Sequence, residues 1–152
     1  MRIRVFVFDD NEAIRSMLWH LLDSRGYEVF TFPDPGLCPL HLATGCRCPE
    51  DQACGDIIIS DVNMPNITGL EFVENQIKKG FKVKNVVLMS GEWSDSDFQY
   101  AQRLGCQPFH KPFTLDEINK WLDECEKKIN PNRLLSDWFQ DRTHQSVPDE
   151  LA

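Results

Sequence analysis

Residues 2–10 read RIRVFVFDD, a short run of Val, Ile and Phe that ends in the adjacent carboxylates Asp9 and Asp10. Residues 56–61 read DIIISD and end in Asp61 in the same way. Short apolar runs of this kind are typical of buried parallel strands. Because binding sites of open α/β sheets form at the carboxyl ends of the strands, we expect the three carboxylates to converge at one edge of a sheet.

Three converging carboxylates repel one another unless a cation compensates their charge. Mg²⁺ is a hard cation that prefers a few carboxylates together with water and phosphate oxygens. We therefore predict a magnesium site at Asp9, Asp10 and Asp61. The alternative for either residue of the adjacent pair is the N-cap of the helix that follows it.

Two more apolar runs end in residues that suit phosphoryl chemistry. The run NVVLM at residues 85–89 leads to Ser90, and QPFH at residues 107–110 leads to Lys111. An aspartate that accepts a phosphoryl group needs a metal and a cation near the new charge, and it gains from a hydroxyl that hydrogen-bonds the phosphoryl oxygens. The chain supplies all of these in strand order.

Helical patterns separate the strand patterns, which favours a parallel sheet wrapped by helices. The helix after Asp10 is indicated by an apolar stripe, and a capping-box spacing from Thr114 to Glu117 predicts the start of the last helix. The stripe consists of Ile14, Met17, Leu18, Leu21 and Leu22.

Four motifs together resemble the receiver domain of response regulators, similar to the single-domain chemotaxis type. They are VFDDN at residues 7–11, ISDVNMPNITGL at residues 59–70, LMSG at residues 88–91 and KPF at residues 111–113. The resemblance covers roughly residues 1–128. It implies a doubly wound (βα)₅ flavodoxin-like parallel sheet with the strand order 2-1-3-4-5.

The resemblance also implies a role for each residue near the three carboxylates. Asp61 is the expected phosphoacceptor. Asp10 is expected to bind Mg²⁺ directly and Asp9 through water, while the backbone carbonyl of Asn63 supplies a further ligand. The side chain of Asn63 would face the phosphoryl group.

On the other side of the expected site, the resemblance assigns three more roles. Lys111 would pair with Asp61 at rest and with a phosphoryl oxygen after transfer, and its peptide bond to Pro112 is expected to be cis. Ser90 would hydrogen-bond the phosphoryl group and draw its loop inward. Glu92 would tune the lifetime of the phosphorylated state.

One position departs from the family pattern. Receivers usually carry a Tyr or Phe three residues before the lysine, and this aromatic residue reorients on activation. Here that position is Pro108, and Phe109 lies one residue later. A shift of one residue turns a side chain to the opposite face of a strand. Either Phe109 substitutes through a local bulge or the aromatic switch is missing.

An insert at residues 33–55 is rich in cysteine. Cys38, Cys46, Cys48 and Cys54 fall within it. Soft ligands in a short loop could hold a structural Zn²⁺ ion, although their spacing is not the paired C-x₂-C form. Disulfide or redox chemistry and free thiols are the alternatives, and the sequence leaves all three open.

Composition limits the remaining possibilities. The chain of 152 residues suits one domain, which we expect over residues 1–129, with a C-terminal extension at 130–152 that forms a short amphipathic turn or helix. Its net charge of −8 argues against binding nucleic acid. The absence of a signal pattern and of an apolar stretch of roughly 18 residues predicts a cytoplasmic protein without membrane contact.

These observations predict a signalling switch rather than a metabolic enzyme. A sensor histidine kinase or a phosphotransfer protein would phosphorylate Asp61, and output would be contact with a downstream protein through the fourth helix, fifth strand and fifth helix. The alternatives are a receiver-like scaffold that works unphosphorylated and an aspartate-nucleophile phosphatase. The phosphatase chemistry requires D-x-D after the first strand, whereas Asp9 and Asp10 are adjacent.

Overall fold

The structure, a computed structural model, describes residues 1–137. Strands and helices alternate along this part of the chain, as the sequence patterns predict. A single 3₁₀ turn at Pro35–Leu37 is added within the insert. The elements are β1 (Arg4–Phe8), α1 (Glu12–Ser24), β2 (Glu28–Phe32), α2 (Pro39–Leu42), β3 (Gln52–Ala53), β4 (Ile57–Asp61), α3 (Gly69–Lys78), β5 (Asn85–Ser90), α4 (Asp95–Arg103), β6 (Gln107–His110), α5 (Leu115–Lys128) and β7 (Leu134–Leu135).

The main sheet has five parallel strands in the order β2-β1-β4-β5-β6. This confirms the predicted doubly wound order, because the short strand β3 only shifts the numbering of the later strands. Phe8 pairs with Ser60, Asp61 with Met89 and Ser90 with His110, so the carboxyl ends of four strands lie level. The register therefore places the predicted site residues along one edge.

The three central strands, β1, β4 and β5, bury both of their faces. Phe6 and Phe8 point to one side and Val5 and Val7 to the other, which explains why the strands read as continuous apolar runs. The first side packs against α3 and the insert, and the second packs against α1 and α5. Between them, the two layers hold the sheet edge rigidly in place.

The helices begin where side chains cap them. Thr68 with Glu71 opens α3, and Thr114 with Glu117 opens α5; both are reciprocal capping boxes. The cap of α1 is Asn11, whose side chain accepts a hydrogen bond from the Ile14 backbone, so neither adjacent aspartate serves as the cap. Capping thus leaves both carboxylates available at the sheet edge.

The insert is more ordered than its composition suggests. Its residues Cys38, Leu40 and Cys54 are fully buried in the core layer that contains Phe6. The ammonium group of Lys82 donates to three carbonyl oxygens of residues 49, 50 and 52 at 2.8–3.0 Å. Apolar burial and these hydrogen bonds tie the insert down without a metal.

The C-terminal extension begins with a strand, not with the predicted amphipathic turn or helix. Leu134 and Leu135 pair in parallel with Gln52 and Ala53 of the insert. The backbone of Ser136 continues the pairing by donating to the Ala53 carbonyl at 2.8 Å. Trp138 and Phe139 are large apolar residues, for which the sequence predicts packing onto the domain or onto a second copy; they lie outside the described residues.

Two arginines join this small sheet to the amino ends of the main strands. Arg133 donates to both carboxylate oxygens of Asp56, at 2.8 and 2.6 Å. Arg4 is only 4% exposed, and its guanidinium donates to the carbonyls of Cys54 and Ser136 at 3.1 and 2.9 Å. We call residues 52–56 and 133–137, held together by these contacts, the basal clasp. It lies at the end of the sheet opposite Asp61.

Within residues 1–137, no helix is both long enough and apolar enough to cross a membrane.

Candidate functional site

The structure brings the three predicted carboxylates together. One ligand oxygen from each of Asp9, Asp10 and Asp61 lies within 4.8 Å of the others. Asp9 is fully buried, Asp61 is 6% exposed, and Asp10 faces solvent. The group therefore combines two desolvated carboxylates with one that is open to water.

Asp9 is fixed in place by two hydrogen bonds. Its Oδ1 accepts from the Asn11 backbone at 2.8 Å, and its Oδ2 accepts from the Lys111 ammonium at 2.9 Å. Its backbone N–H donates to the Phe32 carbonyl at 3.2 Å. Because both oxygens are engaged and the side chain is buried, its position is set before any ligand arrives.

Lys111 lies over the acidic group from the end of β6. Its backbone N–H donates to the Ser90 carbonyl at 2.9 Å, and the peptide bond to Pro112 is cis, as the family resemblance implies. Its Nζ lies 3.2 Å from Asp61 Oδ1, in addition to the contact with Asp9. Burial alone would lower the pKa of Lys111, but the hydrogen bonds and charges of Asp9 and Asp61 together outweigh burial and the pKa is raised. The lysine stays charged.

The carboxyl group of Asp61 has a pKa above its ordinary value. Burial is the main cause and the charge of Asp9 adds to it, while the nearby Lys111 partly offsets both. One ammonium group faces three carboxylates, so the pocket keeps an excess of negative charge. A divalent cation among the oxygens would remove that excess, which fits the donor chemistry of the three side chains.

Ser90 lies at the end of β5, beside the acidic group, and is 1% exposed. Its hydroxyl donates to the Glu92 carbonyl and accepts from the Glu92 N–H, both at 3.1 Å. The Asn63 side-chain amide also donates to it, at 3.4 Å. The hydroxyl is thus occupied by its own loop, and Glu92 points into solvent beside the pocket.

Two residues of the site are missed by the sequence reasoning. An ideal Cβ built on Gly69 would lie 2.3 Å from the Asp61 carbonyl oxygen, so only glycine allows this approach. Arg15 is 8% exposed, and its guanidinium donates to the Asp9 carbonyl at 2.9 Å. The apolar stripe of α1 predicts burial of Met17 and gives no sign that Arg15 is buried. Met17 is 38% exposed. The glycine lies within a quoted motif, but no pattern pointed to the arginine.

The structure also shows which way Pro108 and Phe109 point, at the place where receivers usually carry an aromatic residue before the lysine. Pro108 is buried, and the half-buried Phe109 ring points to the opposite side, with its centroid 6.3 Å from Phe113 and 6.5 Å from Trp121. The carbonyl of Phe109 accepts a hydrogen bond from the indole Nε1 of Trp93 at 2.8 Å. An aromatic side chain therefore reaches β6 from the loop after β5.

The structure gives no support to a zinc site at the four insert cysteines. Among residues 1–137, the acidic group at Asp9 is the only set of three or more metal-binding side chains within mutual reach. Burial raises the pKa of the Cys38 thiol to about 12, which disfavours the thiolate that zinc requires. Cys54 is buried and contacts Cys48, and the six cysteines, all within residues 1–137, form no disulfide.

A doubly wound parallel sheet whose carboxyl edge carries clustered acids, a lysine and a buried hydroxyl defines a CheY-like fold of the flavodoxin-like class. Residues 5–123 match the family described as the response regulator receiver domain, and the chain belongs to this family. The family is that of a signalling domain of two-component systems.

Relatives and solved structures agree with this assignment. The chain is 28% identical over 136 residues to the transcriptional regulatory protein FixJ of Bradyrhizobium diazoefficiens, covering 84% of this chain and 58% of that protein. A probable transcriptional regulatory protein of Picosynechococcus is 27% identical over 118 residues, covering 77% and 46%. The chain thus spans about half the length of these two curated relatives.

Among solved structures, the chemotaxis protein CheY4 of Vibrio cholerae is 32% identical. The match has a TM-score of 0.65 and covers 82% of this chain and 99% of that chain. The likeness therefore extends over nearly the whole of that chain.

Proposed function

We propose that this chain is a phosphorylation-dependent signalling switch in which Asp61 accepts a phosphoryl group from a sensor histidine kinase or a phosphotransfer protein. The observation that carries the proposal is the position of the Lys111 ammonium, within 3.2 Å of Asp61 and 2.9 Å of Asp9. A cation in this place can balance the charge that a phosphoryl group brings.

In the proposed transfer, a carboxylate oxygen of Asp61 attacks the phosphorus of a phosphohistidine. The new O–P bond forms as the N–P bond breaks, and the imidazole of the donor leaves with the electron pair of that bond. The product is an acyl phosphate on Asp61. Burial and the charge of Asp9 raise the pKa of this carboxyl, while the nearby Lys111 ammonium favours its ionised form.

The residues that would hold Mg²⁺ are Asp10, Asp61 and the backbone carbonyl of Asn63, with Asp9 acting through water. When bound, the ion would neutralise the phosphoryl oxygens and orient the donor. The fit rests on the closeness of the three carboxylates and on their uncompensated charge. Because Lys111 already pairs with Asp9 Oδ2, Asp9 would support the ion through water.

After transfer, the residues above the pocket change partners. Lys111 can follow the charge from the carboxylate to a phosphoryl oxygen, because its ammonium group is a flexible point charge. Ser90 donates its hydroxyl to the same group and gives up its bond to the Glu92 carbonyl. Glu92, which is exposed next to Ser90, would tune the lifetime of the acyl phosphate.

Output in this proposal is protein–protein contact through α4, β6 and α5. Phe109 and Trp121 lie on this face, next to the end of β6 that carries Lys111. A change in the position of Lys111 can therefore reach this face through β6. The downstream protein is one that recognises the altered surface.

The test is direct phosphorylation. Acetyl phosphate with Mg²⁺, followed by intact mass measurement, should add one phosphoryl group to the wild type and none to Asp61→Asn or to protein in EDTA. Asp51→Asn, an exposed residue of the insert, is the matched control and should label normally. Labelling that persists in Asp61→Asn contradicts the assignment. A wild type that stays unlabelled, also with histidine kinases of the same host, supports the unphosphorylated scaffold instead.

A further inference from the structure

Trp93 connects two elements that flank the proposed phosphorylation site. It follows Ser90 by three residues, in the loop between β5 and α4. Its indole Nε1–H donates to the Phe109 carbonyl of β6 at 2.8 Å. Its ring lies edge-on to Phe98 of α4, with the centroids 5.8 Å apart. One half-buried side chain therefore contacts the loop's own helix and the neighbouring strand.

Phe109 extends this connection across the sheet. Its carbonyl accepts the bond from Trp93, while its ring packs with Phe113 and Trp121 on the side of α5. A displacement of Trp93 would pull on the backbone of β6 at the residue whose side chain supports α5. The loop after Ser90 and the surface of α5 are thus joined by consecutive contacts.

The loop cannot keep its present form once Ser90 takes a new partner. Ser90 and Glu92 are joined through one hydroxyl, which donates to and accepts from the same residue. Ser94, four residues after Ser90, caps α4 by accepting a hydrogen bond from the Asp97 backbone. Trp93 lies between these two anchor points, so a shift of Ser90 toward a phosphoryl oxygen is absorbed around Trp93.

We propose that Trp93 is the positioning residue that transmits the state of Asp61 to β6 and α5, in place of the aromatic residue that is absent at position 108. At rest, the bond from Trp93 to the Phe109 carbonyl holds the loop outward. When Ser90 is drawn toward the modified Asp61, that bond breaks and β6 is released. The proposal rests on phosphorylation of Asp61.

The first test follows the indole protons of the ¹⁵N-labelled full chain by NMR. The Trp93 and Trp121 signals are assigned by their loss in Trp93→Phe and Trp121→Phe. Beryllofluoride with Mg²⁺ serves as the phosphoryl mimic. We expect the Trp93 indole proton to move upfield and to exchange faster with D₂O, because its hydrogen bond is lost, and we expect the Trp121 signal to shift with it.

The second test uses Trp93→Phe, which keeps an aromatic ring but removes the N–H donor. This variant should still take up a phosphoryl group from acetyl phosphate within about twofold of the wild-type rate, while the mimic-dependent shift of the Trp121 indole is lost. Trp19→Phe, on α1, is the matched control and should keep that shift. A purely structural role for Trp93 would change the spectrum at rest but not the response to the mimic.

The outcomes separate this proposal from the one on which it rests. If the mimic shifts the signals of residues 61 and 111 but leaves the Trp93 indole unchanged, coupling through Trp93 is wrong and phosphorylation stands. The same conclusion follows if Trp93→Phe keeps the full Trp121 shift. If the wild type responds to neither the mimic nor acetyl phosphate, both proposals fail together.

Discussion

The ammonium group of Lys111 lies closer to Asp9 than to the proposed phosphoacceptor, at 2.9 Å from the Asp9 Oδ2 atom. The Asp9 side chain has no exposed surface, whereas Asp61 keeps a small opening to solvent. At rest the lysine therefore compensates the charge of Asp9, the fully buried carboxylate, whose desolvation would cost the most free energy without a partner. The negative charge of Asp61 is compensated less by the lysine, which agrees with the raised pKa of this carboxyl.

Asp61→Asn should raise the stability of the metal-free protein at pH 7. The folded-state pKa of Asp61 lies above the ordinary value of 3.8, so ionisation of this group opposes folding once the pH exceeds the folded pKa. The gain should shrink as the pH falls through the raised pKa and vanish below 3.8, where the carboxyl becomes protonated in both states. Urea unfolding between pH 7 and pH 4 measures this. A gain that grows on acidification contradicts the sign of the shift.

Mg²⁺ should stabilise the wild type, since it binds the folded acidic group and not the unfolded chain. At a hundredfold excess over Kd, the free energy of unfolding should increase by about 2.7 kcal/mol. Asp10→Asn should lose most of this increase, because it removes the exposed carboxylate of the group. Thermal unfolding with and without MgCl₂ tests both, and K⁺ at equal ionic strength controls for screening. An equal increase in the variant would show that the ion binds elsewhere.

Gly69→Ala should be costly because a Cβ there meets the backbone of Asp61. The added atom would lie 2.3 Å from the Asp61 carbonyl oxygen, so α3 or the site loop must shift. We expect a loss of about 1–3 kcal/mol in the free energy of unfolding and slower phosphorylation of Asp61. Gly45→Ala is the control: its nearest neighbour would be 3.8 Å away, and its effect should stay within about 0.5 kcal/mol. Equal effects would mean that the close approach does not exist.

Arg133→Ala should destabilise the fold from the side opposite Asp61. It removes both hydrogen bonds from the guanidinium to Asp56, whose side chain is 6% exposed, and leaves a buried carboxylate with fewer partners. The expected cost is about 2–4 kcal/mol in urea unfolding. Arg2→Ala serves as the control, since Arg2 is 74% exposed and 3.9 Å from Glu28, and it should cost about 0.5 kcal/mol or less. A neutral Arg133→Ala would show that the basal clasp adds nothing to stability.

Thiol reactivity should divide the cysteines into two groups. Cys46 and Cys48 are half-buried and should react with a disulfide reagent quickly in the native protein. The remaining thiols should react only on unfolding, because each is buried and burial raises its pKa. These slow cysteines are Cys38, Cys54, Cys106 and Cys125. Fast reaction of Cys38 or Cys54 in the folded protein would mean that the insert does not pack into the core.

The main sheet and the site were predictable because they rest on strong local patterns. Apolar runs that end in Asp9, Asp61, Ser90 and Lys111 determine which strands form and which end of each carries the chemistry. Parallel register then brings the four ends level without further information. The capping boxes are equally local, since they involve residues three positions apart.

The order within the insert and the start of the extension could not be predicted, because it depends on distant partners. Strand β7 has only two residues and is held by a pairing with the insert and by Arg4 and Arg133, none of which leaves a periodic pattern. For the insert cysteines the sequence left zinc binding, disulfide chemistry and free thiols open, whereas in the structure Cys38 and Cys54 are small apolar core residues. Arg15 was missed because an apolar stripe does not reveal a buried cation that bonds a backbone carbonyl.

The basal clasp has a consequence for synthesis of the protein. Arg4 and Asp56 leave the ribosome early, yet their partners Arg133 and Ser136 are translated after the whole receiver sheet. Until then, a buried guanidinium and a buried carboxylate lack part of their bonding, and residues 52–53 are an unpaired edge. A nascent chain therefore reaches full stability only after residues from both ends of the domain have formed the contacts of the basal clasp.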